Sequence, residues 1–174
     1  IRSIRDEGKQ VLLLDAGDIF QGTPFFNFYK GEPEIRAMAA MGYDACTMGN
    51  HDFDAGLENF ANQLTKGSFP VLLCNYDFSG TPMENRYQPV KIFRKGKLKI
   101  GVTGVGIELK GLVPDSLYGA TKYLEPIRQA STQAERLKKV DHCDMVICLS
   151  HLGYKYRDNK VSDEILARES EHID

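Results

Sequence analysis

The chain has 174 residues, long enough for one domain with a sizeable core. At 42% hydrophobic and 26% charged, with a formal net charge of -2 and a pI near 6.1, it has no charge excess that would draw a nucleic-acid polymer or an anionic membrane surface. No apolar run approaches the ~20 residues of a membrane-spanning helix, and the opening IRSIRDEGKQ lacks a signal-peptide pattern.

In chain order, residues 1–7 read as the last turns of a helix closed by Gly8. Residues 11–15, VLLLD, form a continuous apolar run of the kind found in strands covered on both faces. Pro33 opens a helix, EIRAMAAM, that Gly42 closes. A strand is predicted at 44–48, a helix at 57–65 and a strand at 70–74. The run VKIFRKGKLKIGVTGV then reads as two strands joined by a tight turn at 95–97, an antiparallel hairpin. A Gly-rich loop to about residue 120, an amphipathic helix from Pro126 to about residue 140, a buried strand at 145–150 and a helix at 161–169 complete the chain. Strands alternating with helices imply an α/β fold, a mostly parallel sheet with an antiparallel hairpin added.

Cys46, Cys74, Cys143 and Cys148 form no CxxC pair, and three of them lie in apolar runs, so they read as buried thiols. GVTGVG at 101–106 is not a dinucleotide loop, because the helix that such a fingerprint requires does not follow.

In open α/β sheets, ligands collect beyond the carboxyl ends of the strands. Three polar segments fall there: AGDIFQG with Asp18, TMGNHDFDAG with Asn50, His51, Asp52 and Asp54, and HLG with His151. A carboxylate, an amide oxygen and an imidazole together suit a divalent metal of intermediate hardness, such as zinc, manganese or iron. Gly17 and Gly49 let the backbone turn sharply beside it, and Asp54 is placed to accept the ring N–H of His51. Asp52 reads as a solvated or capping carboxylate. Asp15 and Asn75 read as bonding local backbone, and His142 and His172 as exposed.

The segments VLLLDAGDIFQGTPFF, YDACTMGNHDFDAG and MVICLSHLG resemble the metallophosphatase domain of the 5′-nucleotidase family, a branch of the calcineurin-like phosphoesterases. The resemblance covers nearly the whole chain and implies an αββα sandwich. It implies that Asp18 bridges two divalent metal ions and that Asn50 and His151 bind the second. It also implies that His51, which is not a ligand, stabilises phosphoryl oxygens and the leaving group while Asp54 orients it. The implied reaction is hydrolysis of 5′-nucleotides to nucleosides and phosphate by a metal-activated water, with two ions ~3.5–4 Å apart clamping an in-line displacement. A related phosphodiester or nucleotide-sugar hydrolase, or a noncatalytic module with a degenerate site, are the alternatives. The implied setting is periplasmic or extracellular.

The family's DxH strand, GHxH turn and nucleoside-binding domain have no counterpart within residues 1–174, so the chain reads as a partial metallophosphatase domain. At most one metal ion, weakly held, and negligible activity are expected of it alone. Unpaired sheet edges would favour self-association.

Overall fold

The computed structural model describes residues 1–22 and 24–174. In chain order its elements are α1 (Arg2–Asp6), β1 (Leu14–Asp15), α2 (Pro24–Tyr29), α3 (Glu32–Met41), β2 (Ala45–Cys46), a single 3₁₀ turn (His51–Phe53), α4 (Leu57–Leu64), β3 (Tyr76–Asp77), β4 (Val90–Lys95), β5 (Leu98–Gly106), α5 (Asp115–Tyr118), β6 (Lys122–Tyr123), α6 (Pro126–Lys139), β7 (Met145–His151) and α7 (Asp163–Glu169).

The apolar runs become strands of two sheets rather than one. β1 pairs in parallel with β2, and a parallel bridge from Cys46 to Val71 adds the segment 70–74 to the same layer. The second sheet has the order β4-β5-β7, with the hairpin antiparallel and β5 parallel to β7 over seven residue pairs. Alternation along each strand then sets the layers. Ala45 and Leu72 of the first sheet pack against Ile100, Val102 and Leu149 of the second. Their neighbours face outward: Cys46, Val71 and Leu73 meet Ile35 and Met38 of α3 and Phe60 of α4. On the opposite outer face Val146 of β7 packs with Ala134 and Leu137 of α6. This is an αββα sandwich, in which a fully buried Leu, Ile or Phe contributes about 1.5–3 kcal/mol.

The helices start and stop where side chains satisfy their ends. α3 carries Glu32 and Glu34 in its first turn, and its C-terminal Gly42 is left-handed at φ 73°. Arg5 donates from α1 to the carbonyls of Met41 and Gly42, both at 2.7 Å, fastening α1 to that end. The Glu125 carboxylate accepts the Ile127 and Arg128 N–H groups at the start of α6. Ser162 caps α7 in the same way through the Ile165 N–H.

The first-sheet strands are shorter than their apolar runs predict, because side chains and loops take over the ladder. Leu13 N donates to the Asp44 carboxylate at 2.8 Å, and Lys95 reaches the other oxygen of Asp44 at 2.8 Å. Beyond Cys46 the chain leaves the sheet to build the site. α2, α5 and the β3–β6 pair were not legible: the aromatic run PFFNFY of α2 buries only Phe26, and β3 and β6 join two residues of distant segments. Asn75 bonds remote rather than local backbone, exchanging hydrogen bonds of 2.8 Å with both the N–H and the carbonyl of Gly106. Asp15 does bond locally, accepting the Gly17 N–H at 2.9 Å. His142 and His172 are exposed. Cys46, Cys74 and Cys143 are buried, Cys148 is half-buried, and all four thiols are free.

Candidate functional site

The three polar segments meet, though not along the edge of one sheet as the strand pattern suggests. Asp18 follows β1 and Asn50 follows β2 in the first sheet, whereas His151 ends β7 in the second. The site therefore lies across the carboxyl ends of two packed sheets. Each first-sheet loop is anchored by a buried aromatic residue. Phe20 sits between Phe26 and Phe60, with ring centroids 5.4 and 5.3 Å away, and Phe53 packs edge-on against Tyr76 at 6.0 Å.

Two glycines let these loops interlock. Gly17 has φ 94°, and a Cβ there would lie 2.5 Å from the Gly49 nitrogen. A Cβ on Gly49 would collide with the Asp18 carboxylate. Asp18 itself holds φ 60°, a left-handed conformation uncommon for a residue with a side chain.

The Asp18 carboxylate accepts the His51 backbone N–H at 2.9 Å through Oδ1, and its Oδ2 lies 3.1 Å from His151 Nε2. His151 Nδ1 bonds the Ala16 carbonyl at 2.7 Å. A carbonyl can only accept, so Nδ1 carries a proton and Nε2 is the nitrogen offered toward Asp18. The pKa of His151 is raised by its bond to Asp18, against the effect of burial. Burial pushes Asp18 up, but His151 and the His51 N–H outweigh it and hold the carboxyl below its ordinary value. Asn50, half-buried, stands between Gly49 and His51, both of which touch the Asp18 carboxylate or its neighbouring backbone.

His51 uses its side chain elsewhere. Its Nδ1 lies 2.9 Å from Asp54 Oδ2, and the ring is 39% exposed at the mouth of the site. A cleft lined by Ala55, Gly56, Leu57, Ser116 and Leu117 opens next to this pair.

Asp52 is not the solvated carboxylate that its sequence context suggests; it is fully buried. Its Oδ2 accepts the N–H groups of Asp18 at 3.0 Å and Gly49 at 2.8 Å, and its Oδ1 those of Ile19 at 2.9 Å and Phe20 at 3.2 Å. Burial pushes its pKa up to about 7. Every one of these contacts is a donor, which leaves a carboxyl proton no acceptor among them, so the anion is the form this cage holds. The only local signal for this role was the spacing of Asp52 three residues after Gly49, the reach of a 3₁₀ turn.

Among the described residues no three His, Cys, Asp or Glu side chains converge on one metal position. The converging pair is Asp18 and His151, and Asn50 lies next in the chain to His51, whose backbone N–H the Asp18 carboxylate accepts. This set fits a divalent ion: an imidazole nitrogen with its tautomer fixed by Ala16 faces a carboxylate oxygen at 3.1 Å, and two such lone pairs need a proton or a cation between them.

The whole chain, residues 1–174, matches the calcineurin-like phosphoesterase family profile, and the protein belongs to that family. Members of the family use divalent metals. A 5′-nucleotidase of Vibrio cholerae serotype O1 is 33% identical over 170 residues, covering 95% of this chain and 31% of its own length. Snake venom 5′-nucleotidase of Crotalus adamanteus is 33% identical over 181 residues, covering 100% of this chain and 29% of its own length. The crystal structure of a 5′-nucleotidase precursor from Thermus thermophilus superposes with a TM-score of 0.77 at 30% identity, over 88% of this chain and 30% of that one. The chain thus spans about three tenths of the length of the curated relatives it matches. No helix among the described residues is long and apolar enough to cross a membrane.

Proposed function

We propose that this chain is part of a 5′-nucleotidase, in which Asp18, Asn50 and His151 would hold one divalent ion and Asp18 would also serve a second. The observation that carries the reading is the placement of the Asp18–His151 donor pair on the same loop junction as the His51–Asp54 pair, at 3.1 and 2.9 Å. Zinc or manganese suits the donor set. Bound there, a divalent ion would supply Lewis acidity toward a phosphoryl oxygen and would lower the pKa of a bound water toward neutrality.

The chain's own residues do the rest. Asp54 accepts the Nδ1 proton of His51 and fixes the ring, so that Nε2 is directed at the substrate. From there His51, in its imidazolium form with Asp54 as counter-charge, donates the Nε2 proton to a phosphoryl oxygen or to the departing ester oxygen, where charge develops. It is left neutral, with Nδ1–H still on Asp54. Asp18 presents one oxygen toward His151 while the other is held by the His51 backbone, so the carboxylate cannot rotate away. The similarity to a venom 5′-nucleotidase supports a secreted or periplasmic setting.

The test is phosphate release from AMP by the parent protein before and after dialysis against a chelator, with Mn²⁺, Zn²⁺ or Co²⁺ added back. Turnover lost in chelator and restored by metal supports the reading. Full turnover in chelator overturns it, and metal binding without turnover on any phosphate ester favours a noncatalytic module.

A further inference from the structure

Two loops that are far apart in the sequence carry the metal-ligand candidates Asp18 and Asn50, and one buried carboxylate joins them. Asp52 Oδ2 accepts an N–H from each loop, Asp18 at 3.0 Å and Gly49 at 2.8 Å. Its Oδ1 accepts two more from the first loop, Ile19 at 2.9 Å and Phe20 at 3.2 Å. We propose that Asp52 is a positioning residue that holds the Asp18 loop in register with the Asn50–His51 turn, and that this register sets the affinity of the site for a divalent ion. The proposal rests on the metal reading of Asp18, Asn50 and His151 given above.

The geometry separates this role from ordinary capping. A cap satisfies the end of its own helix, whereas three of the four donors here belong to the segment 18–20. All four bonds need acceptors on both oxygens, and a carboxylate is the one side chain that supplies them in this shape. An Asn amide in its place keeps one acceptor oxygen and turns an NH₂ group toward two N–H donors. Either the bridging pair or the Ile19–Phe20 pair is then released. In both cases the Asp18 carboxylate loses its fixed distance from the His51 backbone N–H that it accepts at 2.9 Å. Asp52 hydrogen-bonds no proposed ligand side chain among the described residues. Its charge also acts on Asp18 and His151, so the exchange of the His51 amide, and not affinity alone, reports the positioning carried by the backbone of the two loops. Outer groups that orient metal ligands typically account for about 10–100-fold in affinity.

The experiment uses the parent protein, with Mn²⁺ titrated by calorimetry and amide exchange followed by NMR. In the unsubstituted chain the amides of Asp18, Ile19, Phe20 and Gly49 should exchange slowly and as a group; fast or independent exchange overturns the proposal before any variant is made. Asp52→Asn should weaken Mn²⁺ binding about 10-fold or more and speed exchange of the His51 amide, which Asp52 does not contact. Asp52→Glu keeps the charge and both acceptors but shifts them by a methylene, and should fall between the two. Leu137→Ala, in the cluster under α6, serves as a control that lowers the melting temperature without altering affinity or His51 exchange. Unchanged affinity and exchange in whichever Asp52 variant folds overturns the proposal, as does an equal loss of affinity in Leu137→Ala. If the unsubstituted parent protein binds no Mn²⁺, the metal reading fails by itself, and the His51 amide still decides whether Asp52 sets the register.

Discussion

His151 Nε2 lies 3.1 Å from Asp18 Oδ2, while the opposite ring nitrogen is fixed by the Ala16 carbonyl at 2.7 Å. The imidazole therefore cannot flip to offer its other nitrogen without breaking a hydrogen bond to the backbone. Asp18→Ala and His151→Ala should each abolish measurable Mn²⁺ or Zn²⁺ binding by calorimetry. His51→Ala should leave it intact, because the His51 side chain bonds Asp54 and its link to Asp18 runs through the backbone. Loss of metal in His51→Ala would overturn the division between ligand and acid.

The same division sets the expected kinetics. In the parent protein His51→Ala should lower kcat about 10²-fold or more, the usual scale for losing one donor that acts on developing charge. Asp54→Asn should lower it less, because the imidazole remains and only its orientation and tautomer are disturbed. Steady-state phosphate release at saturating metal measures both.

Asn75 is fully buried and makes reciprocal hydrogen bonds with Gly106 at 2.8 Å each. Asn75→Ala removes both partners and leaves a buried N–H and a buried carbonyl unpaired at the end of β5. The expected loss is about 2–6 kcal/mol, taking roughly 1–3 kcal/mol for each orphaned group. Urea denaturation followed by circular dichroism measures it, and a change below about 1 kcal/mol would mean that water takes over the lost bonds.

Gly104 lies where β5 of the second sheet packs against the backbone of the first. A Cβ there would run into the Leu72 carbonyl and lie 2.5 Å from Thr47 Oγ1. Because backbone rather than a flexible side chain blocks it, Gly104→Ala should destabilise the chain by about 1–3 kcal/mol or more. Differential scanning calorimetry should show a lowered melting temperature.

The thiols should be inert until the chain unfolds. Burial raises the pKa of Cys74 to about 11 and also pushes up those of Cys46, Cys143 and Cys148. The reactive thiolate is then scarce at neutral pH, and the sulfurs are screened as well. Titration with Ellman's reagent should find slow reaction in the native chain and four rapidly reacting thiols in denaturant. Rapid native reaction would point to Cys148, the half-buried one.

Much of the fold is decided within short windows of sequence. The apolar run at 145–150 becomes β7, and the Pro126 helix start and the Gly96 turn appear where local backbone preference puts them. These features depend on periodicity, on the fixed φ of proline and on the positive φ open to glycine, none of which needs a distant partner. The candidate residues Asp18, Asn50, His51, Asp54 and His151 are picked out for a related reason, their place in polar segments at strand ends, and the roles given to them come from the family resemblance. What the sequence could not supply is how the two sheets stack. That stacking brings His151 of one sheet to Asp18 of the other, pairs Asn75 with Gly106, and buries Asp52 under four N–H groups. Asp52 looks polar and solvated in its own segment because three of its four partners lie more than thirty residues away. Contacts of that kind are fixed by packed side chains across layers, so only the tertiary structure could turn an apparent surface carboxylate into the residue that joins the loops of the site.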